Sequence, residues 1–349
     1  YRINNLSSKD DEKVRLETED KFQTVRLFRE SDAYEVSRLF YKSYGHSYVN
    51  EIVYYPDRLL HNVKTGKMHS ALAVSEQDRI IGHIALFEPG CSKDITEWGM
   101  AVSDPAYRGQ GIMNFNVDFI IKHAEELGYK AIYAHSVTNH TFTQKVCSKY
   151  NFVTCGLFVG YAPDLSFKKI NSVLSQREST FIEIKSFETS QQAKLYLPEK
   201  YKSIITEIYR SLGITIEQQN TDTKQFSQEQ QIDEEFVSVL NSVDICIKSA
   251  SPDTFDTVKK ITKQYCINKT DNLYVFMNLE DSSTAELVSE LEKTGYFFCG
   301  VFPYYYFRHT IVLQYINNTK YDYSKINSYS ELAGKIKEII TANDPNQHS

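Results

Sequence analysis

The stretch DPAYRGQGIM, residues 104–113, stands between an apolar strand-like run and an amphipathic helix-like one. Its two glycines, Gly109 and Gly111, admit positive φ and ask for no side-chain room, and Arg108 adds one fixed positive charge. A helix that starts directly after such a turn leaves its first backbone amides unpaired and at positive potential. The turn therefore suits an anion such as a phosphate or pyrophosphate, with a plain tight strand–helix turn as the bland reading. A nucleotide P-loop is excluded because the Lys-Ser/Thr pair is missing. The dinucleotide fingerprint is excluded because Asn114 stands where its third glycine belongs.

Working outward, periodicity predicts a strand over 23–29 and a helix over 31–45, with Asp32 and Glu35 as a capping box and Gly45 as its stop. A helix over 56–66 opens at Pro56. Strands follow at 68–76, 79–88 and 96–103, the first two joined by a Glu-Gln-Asp hairpin turn. After the glycine turn come a helix over 115–128, a strand over 130–137, a helix over 140–150 and a strand over 152–161. The run at 180–188 supplies a last strand. The fold class is mixed α/β, with the strands near 98 and 133 parallel through a right-handed helical crossover.

Residues 217–235 are almost wholly polar and are expected to be a solvated insertion. Around them the pattern is an amphipathic helix over 197–213, then strand, helix, strand, helix and strand to residue 307. FVTCGLF (152–158) and YFFCGVF (296–302) share Cys-Gly-aliphatic-Phe, each after a helix carrying a lysine (Lys149, Lys293). This predicts an internal duplication.

Composition narrows the function classes. At 349 residues the chain suits two domains, and a net charge of −6 with no basic stripe argues against nucleic acid as a partner. No apolar run is long enough to span a bilayer, and the polar start shows no signal peptide. The six cysteines are scattered without C-x-x-C spacing, so neither a metal site nor a disulfide framework is expected, and a cytoplasmic setting fits.

AVSDPAYRGQGIM with its following helix resembles motif A of the GNAT family of N-acetyltransferases, Arg/Gln-x-x-Gly-x-Gly/Ala. NHTFTQKVCSKYNF resembles that family's Asn-x-x-Ala-x-x-x-Tyr…Gly-Phe helix and strand, and the order of elements from 23 to 188 is similar throughout. More narrowly, the chain resembles two-unit bacterial proteins in which an acetyltransferase domain precedes a degenerate copy. The resemblance implies a polar arm over 1–22, a GNAT domain over 23–188 and a degenerate GNAT-like domain over 189–349 with a C-terminal helix. In the second copy the turn's counterpart, SASPDTF (249–255), has Pro252 and no glycine.

The implied co-substrate is acetyl-CoA, without a metal, and the implied reaction moves its acetyl group to a primary amine. Its pyrophosphate would lie on Arg108, Gly109, Gln110, Gly111 and Ile112, although Met113 replaces a small residue there. Its pantetheine would bond to the backbone of Met100, Ala101 and Val102, with His140 near the same path. A lysine-like amine is neutral at pH 7 to about one part in two thousand, so a base is useful, and Glu97 is the candidate. Cys147 falls where the family often has a proton-donating tyrosine; it is either that donor or a core-packed thiol. Tyr44, His46 and Tyr48 are acceptor-pocket candidates, and His135 is a substrate or relay candidate. The acceptor is a small amine or a protein or peptide amine, and a homodimer is allowed. Two rival readings are a non-catalytic module that binds CoA or acyl-CoA and a transferase of larger acyl or aminoacyl groups.

Overall fold

The computed structural model describes residues 20–48, 50–107, 109–163, 176–220 and 226–347. Arg108, most of the 1–22 arm and residues 221–225 of the polar insertion therefore lie outside the described residues. By compactness the chain divides into two units, the first reaching Ile132 and the second beginning at Tyr133. The boundary at 188 instead follows the end of the strand expected over 180–188, and the two criteria cut the chain at different places.

The first unit is built from β1 (Phe22–Leu27), α1 (Ala33–Tyr44), α2 (Pro56–Lys64), β2 (Met68–Ser75), β3 (Ile80–Phe87), β4 (Ile95–Ser103) and α3 (Ile112–Glu126). Its four strands pair antiparallel in chain order. Strand alternation sends Leu72 and Val74 to one face and Ala73 to the other. The first face packs against Val36 and Phe40 of α1, Leu59 of α2 and Tyr54 from the segment between them. Ala73 and Ile81 pack with Tyr107 and with Ile112 of α3. The hairpin between β2 and β3 closes as expected, with Asp78 donating to the Ser75 carbonyl at 3.0 Å.

The capping box expected at α1 does not form. Asp32 makes no side-chain cap for that helix. Its carboxylate instead accepts from the Arg29 amide at 2.6 Å and from both terminal nitrogens of Arg26 at 2.7 and 3.0 Å. A bidentate guanidinium is the stronger partner for a buried carboxylate, so the ion pair displaces the cap.

The second unit holds β5 (Ala131–Val137, from Tyr133 on), α4 (Phe142–Lys149), β6 (Val153–Ala162), β7 (Glu178–Ser186), β8 (Gln191–Leu195), α5 (Lys202–Ser211) and β9 (Ile214–Gln218). It continues with β10 (Gln231–Val237), β11 (Ser242–Ser249), α6 (Thr254–Ile267), β12 (Asn272–Asn278), α7 (Thr284–Glu292), β13 (Phe297–Val301), β14 (Thr310–Ile316) and α8 (Glu331–Asn343). The strand order is β5-β7-β6-β13-β14-β12-β11-β10, with β8 and β9 forming a separate parallel pair that the sequence pattern does not announce. Part of the polar insertion is not loop: Gln231–Val237 is the edge strand β10, antiparallel to β11. Its Asp233, Glu234 and Glu235 are exposed, and such charge is a usual guard on a sheet edge.

The sequence repeat has a geometric counterpart here. β5-α4-β6-β7 and β12-α7-β13-β14 share one plan, in which the last strand of each set inserts between the other two. The two sets meet where β6 pairs antiparallel with β13, at Gly156 opposite Gly300. A Cβ on Gly300 would lie 2.4 Å from Gly156 Cα, and one on Gly156 would lie 2.7 Å from the Cys299 carbonyl oxygen. The repeated Cys-Gly-aliphatic-Phe motif therefore marks a contact that only two facing glycines allow.

Candidate active site

β4 carries a bulge. Gly99 pairs with Ala85 and Val102 with His83, so Met100 and Ala101 together oppose one residue of β3. Met100 sits at φ 51°, a left-handed conformation that costs a side-chain-bearing residue about 1–3 kcal/mol and persists only where its surroundings fix it. The fixing group is His83, fully buried on β3, whose Nδ1 lies 2.8 Å from the Met100 carbonyl oxygen. A carbonyl only accepts, so Nδ1 carries the proton and Nε2 accepts from Ser70 Oγ at 3.0 Å. Burial pushes the His83 pKa down to about 4, which keeps the ring neutral and this tautomer in place.

The bulge faces an aromatic cluster supplied by α1 and the segment after it. Tyr44 donates to the Ala101 carbonyl at 3.4 Å, and its ring lies 5.0 Å from that of Tyr48. The Tyr48 amide donates to the Tyr54 hydroxyl at 2.9 Å, and Phe40 packs edge-on to both Tyr48 and His83. The Tyr48 hydroxyl is held protonated, first by burial and then by the nearby Tyr44, Glu97 and Tyr54; a hydrogen bond to the Met100 backbone works the other way. Tyr44, Tyr48, Glu97, Met100 and Ala101, named from the sequence for different reasons, thus come together. His46 lies at the exposed rim, edge-on to Tyr41 and Tyr54.

Beyond β4 the chain turns under control of Asp104. Its amide donates to the Ile81 carbonyl at 2.8 Å, and its carboxylate accepts from the Ala106 amide at 2.9 Å and pairs with Lys42 at 2.8 Å. Gly109 and Gly111 adopt φ of 88° and 73°, and Gly111 is the left-handed N-cap of α3. No acidic side chain occupies the first turn of α3, so the positive end of that helix is not neutralised locally. Gln110 is exposed, while Ile112 is buried against Ala73, Ile81 and Tyr107. Gly82 permits that close seat, since a Cβ there would stand 2.9 Å from both Ile112 Cγ2 and Asn116 Nδ2.

The remaining candidates belong to the second unit. Cys147 is fully buried on α4, its Sγ 3.5 Å from Ser136 Oγ, and burial pushes its thiol well above the usual range. His135 stacks on Tyr161 at 4.3 Å with Nδ1 3.1 Å from Thr180 Oγ1, and burial lowers its pKa to about 3. His140 is half-buried and accepts from the Phe142 amide at 3.4 Å, its pKa also lowered by burial.

Gly82 and His83 were not singled out by any motif. The one sign of them in the sequence is a glycine inside the strand pattern RIIGHIALF, which marks a close backbone approach. Among the described residues no group of three or more His, Cys, Asp or Glu is placed to hold a metal, and no helix is long and apolar enough to cross a membrane.

Residues 33–152 match the family model described as the acetyltransferase (GNAT) family. No curated protein matches the chain. Among solved structures, an N-acetyltransferase from Staphylococcus aureus Mu50 is similar at 14% identity and TM-score 0.40, over 47% of this chain and 98% of that one. YncA, described as an acetyltransferase from Salmonella typhimurium with its cofactor acetyl-CoA, is similar at 12% identity and TM-score 0.39, over 48% of this chain and 95% of its own. A protein from Streptococcus mutans UA159 is similar at 17% identity and TM-score 0.39, over 48% of this chain and 100% of its own.

Proposed function

We propose, from the premise that residues 33–152 form a GNAT-family acetyltransferase domain, that the chain moves an acetyl group from acetyl-CoA directly to a primary amine. One observation carries the reading. A bulged backbone at Met100 and Ala101, pinned by His83 and flanked by Glu97 and two tyrosines, lies on the strand that leads into the left-handed Gly111 at the start of α3.

The residues present fit the coenzyme. Gly109 and Gly111 offer backbone without side-chain obstruction, and the positive end of α3 suits a pyrophosphate. Arg108 would add its charge there. The Met100–Val102 backbone would meet the pantetheine and thioester portion, and a β4 amide aimed at the thioester oxygen would stabilise charge that develops there; His140 is a coenzyme-binding candidate by position in the sequence alone. Tyr44, Tyr48 and the rim residue His46 would shape the acceptor pocket, and Glu97 would take the proton from the attacking amine. His135, held neutral by burial, is assigned to substrate binding by position in the sequence alone. Cys147 keeps its proton, but its enclosure withholds it from substrate, so no acid step is assigned to it.

The second repeat is read as a degenerate copy that lacks the coenzyme site. Its α6 begins at Thr254, with one residue between it and Pro252, whereas six residues, two of them glycine, separate Pro105 from the start of α3. The first turn of α6 also carries Asp256, which opposes an anion. A cytoplasmic setting agrees with the six free cysteines.

The enclosure of Cys147 also favours a second reading, a module that binds CoA without turnover. Calorimetry with CoA and a thiol-release assay over a panel of amines separate the two. Turnover establishes the enzyme, and tight binding without turnover establishes the module. Gly111→Val, which forces a β-branched residue into φ 73°, should abolish CoA binding; unchanged affinity would remove the turn from the site.

A further inference from the structure

Within the second unit, a cavity of about 170 Å³ opens between the C-terminal end of α4, the start of β6, and the start of α8. An engineered cavity of about 150 Å³ holds benzene, so this one admits a molecule of roughly six heavy atoms. Glu183 of β7 lines it and is only 4% exposed. Thr154 Oγ1 donates to Glu183 Oε2 at 3.1 Å and is itself 3.3 Å from Ser330 Oγ. The rings of Phe152 and Tyr329 add two aromatic walls, and Ser148 stands exposed at the edge.

A carboxyl group so enclosed is costly unless a cation or several donors face it. Among the described residues no basic side chain acts on Glu183; burial raises its pKa to about 8, opposed only by the Thr154 hydroxyl. At neutral pH it is therefore an uncharged acid that lines a small cavity beside aromatic rings. An ammonium group is the ligand chemistry that turns this cost into a gain, because it pairs with the carboxylate and is attracted to ring faces.

We propose that this cavity binds a small primary amine, its ammonium paired with Glu183 and its alkyl chain against Phe152 and Tyr329. On binding, the Glu183 O–H bond breaks, its proton leaves to solvent, and the carboxylate so formed pairs with the ammonium; no other bond changes. Binding therefore strengthens with rising pH, about tenfold per unit below the Glu183 pKa. Other ionisable groups stand on the elements packed around Glu183. Cys147 from α4 and Cys155 from β6 are both held protonated by burial. Lys335 of α8 pairs with both Glu207 of α5 and Glu331 of α8, and Lys145 of α4 lies 5.6 Å from the Tyr329 ring. The pocket needs no acyl donor, so its test stands apart from that of acetyl transfer.

The test is calorimetric and NMR titration of the full chain with n-butylamine and with 1-butanol, at pH 6 and 7, in phosphate and in MOPS. The expected result is saturable binding of the amine, about tenfold tighter at pH 7, with one proton released per amine and no matching affinity for the alcohol. Glu183→Gln, which mimics the neutral acid, should lose tenfold or more in affinity. Ser148→Phe, at an exposed helical position, should block entry while leaving the fold intact. Equal binding of amine and alcohol, equal affinity in Glu183→Gln, binding without proton release, or no binding to the wild-type chain at tens of millimolar would each overturn the proposal.

Discussion

Replacing His83 with Phe removes the tether of the β4 bulge while nearly keeping ring volume. The Met100 carbonyl loses its donor at 2.8 Å and the buried Ser70 hydroxyl loses its acceptor at 3.0 Å. A buried polar group left unpaired costs about 1–3 kcal/mol, so the two together should lower stability by roughly 3 kcal/mol. A second effect acts on ligand affinity. Met100 at φ 51° stores about 1–3 kcal/mol of backbone strain, and without its anchor the strand relaxes toward a regular ladder. Rebuilding the bulge on binding would then weaken CoA by about five- to a hundredfold, since each 1.4 kcal/mol is a factor of ten. Urea unfolding gives the first quantity and calorimetry with CoA the second. His83→Asn places an amide donor near the former Nδ1, so it should recover CoA affinity more fully than stability. If His83→Phe binds CoA within twofold of wild type, or if Asn rescues nothing, His83 is a core side chain and does not position the site.

Three further outcomes are expected. Gly300→Ala should cost more than 3 kcal/mol, because its Cβ meets backbone on the facing strand and φ is 149°, whereas Gly66→Ala, at φ 72° with nothing within 4 Å, should cost about 1 kcal/mol; equal urea midpoints would refute the packed-glycine contact. Glu97→Gln should lower kcat by about a hundredfold or more at pH 7, with the loss shrinking toward pH 10 as the amine becomes neutral unaided; a loss independent of pH would remove Glu97 as the base. Stability should peak near pH 6.5. The folded-state pKa values of His83, His135 and His309 are depressed to about 4, 3 and 4, so their contribution is complete above 6.5 and is lost as pH falls toward 4. Glu183 and Asp244 are raised to about 8 and 7, so their contribution is complete below the ordinary carboxylate range and is lost as pH rises toward 8. A urea midpoint that rises steadily through pH 8 would contradict this balance.

Most strands and helices were legible because one buried face per element imposes a period of 2 or 3.6 on the sequence. The turn at 104–113 was legible for a different reason: glycine positions that require positive φ leave a mark in residue type, and Gly109 and Gly111 do adopt it. Met100 shows where that signal stops. Its left-handed conformation follows from mispaired register against β3 and from a hydrogen bond to His83, and neither is encoded near residue 100. In the alternating run RIIGHIALF a histidine looks like any half-buried polar residue. Asp32 reads as a cap because its nearest sequence partners favour one, yet Arg26, six residues away, competes and wins. The Cys-Gly repeat was visible as a likeness between two segments, but likeness alone did not say that the two copies touch at those very glycines. In each case local chemistry fixed what a residue can do, and pairing at a distance decided which of those things it does. The same rule separates the surroundings of Glu97 from those of Cys147: the carboxylate lies near tyrosines that follow or belong to α1, while the thiol is closed off by its own unit's core, and neither environment is written in the motif that holds the residue.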